Sequence, residues 1–220
     1  MGQVQFETQS SQYATAFKSV RSAKNLFWLL ILLAILIQLG GFILVHYVGL
    51  TGAPAVAENQ AEATGRAEFW QNICLWAFPT SGFMALVAGV LLMLTLLLAV
   101  KLSLLGRFGG VAGFISAFFW SLILMVLLTP WQYLLRGAAG QGALYGYTEL
   151  TRLRSAWAGA DASWAHKMLY YVRFLAYPAV TILVCAVVQW KFAGGYKQTN
   201  LAPIQAGAVA EESSPVEQII

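Results

Sequence analysis

Four apolar stretches, at residues 27–50, 74–100, 111–135 and 168–190, alternate with short polar segments along a chain of 220 residues. Each is long enough to supply the ~20 residues that cross a hydrocarbon core of about 30 Å. Backbone amides find no water at that depth, so an open chain must cross as helix. Barrel strands would instead alternate apolar and polar positions, and residues 83–100 show no such alternation. The pattern predicts an all-α integral membrane protein with four transmembrane helices. The short loop at 101–110 folds spans two and three into a hairpin, and an antiparallel bundle is the simplest closed arrangement. Residues 1–200 then form a single transmembrane domain, and residues 201–220, made largely of small and polar residues, form a flexible tail.

Two further segments carry an amphipathic pattern. Tyr13, Phe17 and Val20 share one helical face while Lys18, Arg21 and Lys24 line another, which predicts a short interfacial helix over 10–24. Leu150, Leu153 and Trp157 repeat the pattern beside Arg152 and Arg154, predicting a second over 147–158.

Composition sharpens the class. Hydrophobic residues make up 59% of the chain and charged residues 10%, against about 25% charged in soluble domains. The charged faces that a soluble helical protein needs are missing. The net charge of +4 is spread over the ends of the apolar runs rather than gathered in one patch, so anionic headgroups are the expected partner and nucleic acid is not. The first run follows a basic flank and precedes Ala55-Val56-Ala57, but it is too long for a signal-peptide core of about 7–15 residues. It reads as an uncleaved anchor.

Seven basic residues (Lys18, Arg21, Lys24, Lys101, Arg107, Lys191, Lys197) fall on the side of the termini and five (Arg66, Arg136, Arg152, Arg154, Lys167) on the other. This bias predicts the plasma (inner) membrane with both termini cytoplasmic. Cys74 and Cys185 fall at different depths of parallel spans, so no disulfide is expected between them.

Within lipid, helices associate through close backbone approach and interhelical hydrogen bonds. Gly109, Gly113 and Ala117 make a smooth stripe on span three, and Ala85 and Gly89 a second on span two; these are the expected packing positions. The prolines, histidines and the intramembrane arginine collect toward the outer ends of the spans. His46, His166, Arg173 and Gln132 are therefore the candidate ligand-binding residues. His46 and His166 fall at similar depth and form a candidate pair for a haem b iron or another metal, although no dense ligand motif accompanies them. Arg173 lies near a span end, where its side chain can snorkel to the surface. The alternative is an anion site for a lipid phosphate, a quinone carbonyl or a carboxylate of another subunit.

No Asp or Glu lies within a span, which disfavours ion-coupled transport. No nucleophile with an oriented base is evident, so no catalytic residue is assigned and an enzyme is disfavoured. The expectation is a structural, assembly or accessory subunit of a larger membrane complex. Its partners are the lipid bilayer and other membrane subunits or further copies of itself, with no cofactor required. One alternative is an outer-leaflet ligand-binding or electron-transfer module that holds a quinone, lipid or haem near His46, His166 and Arg173. A small oligomeric carrier or channel is the third.

Overall fold

The computed structural model describes residues 2–47, 60–106, 108–131, 142–158 and 163–199; among them there is helix and no strand. Helix α1 is Gly2–Tyr47, α2 is Gln60–Leu105 and α3 is Val111–Leu128. Two short helices follow, α4 at Tyr147–Ala158 and α5 at Trp164–Tyr171. A π-helical turn, Val172–Ala176, then joins α5 to α6, Tyr177–Gln198. Four helical segments are long and apolar enough to cross a membrane: Thr15–Tyr47, Glu68–Leu105, Val111–Leu128 and Lys167–Gln198.

The boundaries have local causes. No glycine or proline occurs between positions 3 and 39, so nothing breaks the backbone before the first span. The separate interfacial helix expected over 10–24 is consequently the first part of α1. Its apolar face does not lie open either: Phe17 and Val20 are buried, with the Phe17 ring 5.7 Å from those of both Phe108 and Phe114. Span three, expected to reach 135, ends as helix at Leu128 because Pro130 can neither donate an amide nor fit the next turn. Residues 132–135, like 48–50 of span one and the tail 201–220, lie outside the described residues.

Gly110 forms the turn into α3 with φ 83°, the left-handed conformation that favours glycine. A Cβ there would also lie 2.2 Å from the Gly195 carbonyl oxygen. One turn on, Gly113 lies against Gly195, where a Cβ would stand 2.6 Å from the Gly195 Cα. Helices α3 and α6 thus approach backbone to backbone. Gly89 of α2 faces Met125 of α3, while Ala85 and Ala117 are fully buried.

The buried side chains fall into two clusters. The larger draws on all four long helices, with Ile31 and Ile35 of α1, Leu92 and Leu96 of α2, Phe114 and Leu124 of α3, and Val188 and Phe192 of α6. It is closed at one end by polar contacts between α1 and α6. Lys24 is buried, donates to Gln189 Oε1 and sits 4.4 Å over the Phe192 ring. Arg21 lies 4.7 Å over Tyr196, and the Trp28 indole donates to the Cys185 carbonyl at 3.0 Å. The smaller cluster occupies the opposite end and includes Phe42, Val45, Phe78, Tyr145, Tyr170 and Phe174.

Candidate functional site

Of the expected site residues, Arg173 lies within the smaller cluster and His46 at its edge, and the end of α3 explains its shape. A helix that stops inside an apolar environment must find donors for its last carbonyls. Met125 O receives the Thr129 amide and hydroxyl, at 2.9 and 2.7 Å. Val126 O, which the imino nitrogen of Pro130 cannot serve, is reached by the indole N–H of Trp131 at 2.8 Å. Leu127 O accepts from Ala143 N at 2.6 Å. The last of these bonds draws residues 142–146, a non-helical strip, against the long helices. Ala143, Leu144 and Tyr145 are each at most 3% exposed. Gly142 is required there, since a Cβ would fall 1.9 Å from the Thr129 carbonyl oxygen.

Tyr145 anchors the strip to α1 near its C-terminal end. Its amide donates to Gln38 Oε1 at 3.2 Å and its hydroxyl to the Gln38 carbonyl at 2.7 Å. Gln38 is itself 1% exposed, and its Nε2 has no acceptor among the described residues.

Arg173 holds the same strip from the other side. The expected snorkelling does not occur: the residue is 3% exposed and points inward. Its Nε donates to Glu149 Oε1 at 3.0 Å, its Nη1 to Gly142 O, and its Nη2 to Leu144 O at 3.4 Å. The planar fork suits this set of acceptors, because it offers donors in several fixed directions at once. The π-helical turn places it. Pro178 lacks an N–H and crowds the preceding turn, and Tyr177 N–H reaches back five residues to Val172 O. In this widened turn both Arg173 and Phe174 are buried.

His46 stands at the aromatic edge of this cluster, at the end of α1. Its ring stacks on Phe42 at 5.4 Å, lies 4.9 Å from Trp157, and has Tyr170 and Tyr171 beside it. Nδ1 faces the Tyr170 hydroxyl at 3.4 Å and Nε2 the Tyr171 hydroxyl at 3.3 Å. Both ring nitrogens therefore have protein partners. His166 lies on α5, its side chain outside what the structure describes, and Gln132 lies outside the described residues altogether. Among the described residues, no three His, Cys, Asp or Glu side chains group closely enough to hold a metal. An open apolar groove runs along α2, lined by Phe69, Asn72, Ile73, Trp76, Ala77 and Thr80, and includes none of these polar residues.

Glu149, Gln38 and Tyr145 are members of the site that the sequence pattern did not single out. Glu149 carried a usable signal, being the lone acidic residue between Glu68 and Asp161 in a chain with one arginine inside a span. Leu150 and Trp157 of α4, the segment expected as an interfacial helix, pack against this cluster. Compared with known proteins, the chain matches no family model, no curated protein and no solved structure.

Proposed function

We propose that this protein is a structural, assembly or accessory subunit of a larger membrane complex, built as an antiparallel four-helix bundle with both termini on the cytoplasmic side. The observation that carries the reading is the use of Arg173. An intramembrane arginine is a functional hypothesis by default, because its charge must be matched by something. Here Glu149 and two main-chain carbonyls match it within the same chain. Lys24 is likewise matched by Gln189 and His46 by Tyr170 and Tyr171. These three polar groups serve the fold.

The outward faces supply what a subunit needs. Trp76, Phe83 and Trp190 are each more than 70% exposed, and such broad aromatic side chains suit lipid or a neighbouring membrane helix. The seven basic residues at the Lys24 end support the cytoplasmic assignment of that end.

Photo-crosslinking in native membranes tests this reading, with a photoreactive phenylalanine analogue placed at Trp76 and Phe83. Discrete protein adducts are expected from at least one position. Adducts to lipid alone from both positions, with the chain migrating as a monomer, would reject the subunit role.

A further inference from the structure

We infer that residues 142–146 form a segment sunk into the membrane and held there by Arg173, rather than a loop on the membrane surface; this rests on the membrane-bundle reading above. Depth can be measured from the bonded pair Lys24–Gln189, which gives α1 and α6 a common starting level. Fourteen residues of unbroken α1 separate Lys24 from Gln38, about 21 Å at ~1.5 Å per residue. Sixteen helical residues separate Gln189 from Arg173, about 24 Å on the same scale. Both distances fall short of the ~30 Å hydrocarbon thickness. The sequence above Gln38 agrees independently, since residues 39–45 are all apolar or glycine. The Tyr145–Gln38 and Arg173–Leu144 contacts therefore lie several ångströms inside the hydrocarbon.

Non-helical backbone is tolerated at such depth only when it is buried in protein with its polar groups satisfied. That is what the surroundings of the strip supply. Leu127 O takes the Ala143 amide, Gln38 takes the Tyr145 amide, and Arg173 takes the carbonyls of Gly142 and Leu144. Helix α4 then climbs from the Gln38 level, where Tyr145 is bound, to the His46 level, where Trp157 packs. It runs beside the bundle instead of lying flat on the lipid surface. Glu149, on the first turn of α4, couples this arm to the arginine that holds the strip. Arg173 is thus a latch, and withdrawing it frees the strip toward the His46 side.

Cysteine accessibility in intact cells and in inverted vesicles tests the latch. The probe is a membrane-impermeant maleimide, applied to Ala143→Cys in a chain carrying Cys74→Ala and Cys185→Ala. Trp164→Cys, 75% exposed, is the control for the His46 side. With Arg173 intact, Ala143→Cys should label at least tenfold more slowly than Trp164→Cys from either side. Adding Arg173→Leu should raise its labelling at least tenfold from the His46 side alone. Glu149→Gln, the milder change, should raise it severalfold and decides the matter if Arg173→Leu does not fold. Rapid labelling with Arg173 intact would make the strip a surface loop and overturn the inference. Unchanged protection in folded Arg173→Leu, or in Glu149→Gln where Arg173→Leu does not fold, would overturn the latch. A failure of the orientation itself is read separately, from Trp164→Cys labelling in inverted vesicles instead of cells.

Discussion

Replacing Arg173 with leucine removes the group that ties Glu149 and the 142–146 strip to α5 and α6. The residue is 3% exposed, and its ion-pair partner Glu149 is 13% exposed, so neither charge is well screened by solvent. Breaking a buried pair by removing one partner costs about 3–5 kcal/mol, because the remaining charge keeps its desolvation penalty. The two carbonyl contacts contribute less, since interhelical hydrogen bonds in lipid average about 0.6 kcal/mol. Arg173→Leu should therefore destabilise the protein by about 3–5 kcal/mol, mostly through the stranded carboxylate. Titration with SDS in mixed micelles, followed by tryptophan fluorescence, measures the loss. Glu149→Gln completes a double-mutant cycle with it. In the leucine background Glu149→Gln should be nearly neutral or stabilising, giving a coupling energy of about 1–3 kcal/mol. A loss below about 1 kcal/mol for Arg173→Leu, or a coupling near zero, would refute the reasoning.

Other contacts give smaller and more local expectations. Gly113→Ala should destabilise by about 1–3 kcal/mol despite alanine's higher helix propensity, because the new Cβ meets Gly195 backbone that cannot move aside. Gly194→Ala, with nothing within 4 Å, should be neutral or slightly stabilising in the same unfolding assay. Tyr145→Phe removes the bond to the Gln38 carbonyl and should cost about 0.5–1.5 kcal/mol. Gln38→Leu strands the buried Tyr145 amide and should cost about 1–3 kcal/mol. Trp131→Phe leaves the Val126 carbonyl without its indole donor; a loss of about 0.5–1.5 kcal/mol is expected, and no loss would show that another donor replaces it.

The four spans were legible in the sequence because length and hydropathy are summed over many residues, and no single position decides them. Gly113 could be placed on a packing stripe from its four-residue spacing, though Gly195, the residue it meets, offered no pattern of its own. The fate of Arg173 was not legible. Its depth near a span end fits snorkelling as well as inward pairing, and the choice depends on the π-helical turn before Pro178 and on a strip 30 residues upstream. Gln38 looked like one polar residue in a plain span; its role arises from Tyr145, 107 residues away. The amphipathic pattern over 10–24 identified an apolar face correctly but not what covers it. That same face serves a lipid surface or the Phe108 and Phe114 rings, and the absence of a helix breaker before position 27 favours a continuous α1. In each case the local pattern set the chemistry available, and a long-range contact selected its use.

Native mass spectrometry of the protein, released from its own membrane in native lipid, weighs the assembly and any retained small molecule together. A structural subunit predicts a defined species heavier than the 24.0 kDa chain, which dissociates into this chain and other polypeptides or further copies of it. A lone chain of that mass carrying a stoichiometric haem or quinone would contradict the account.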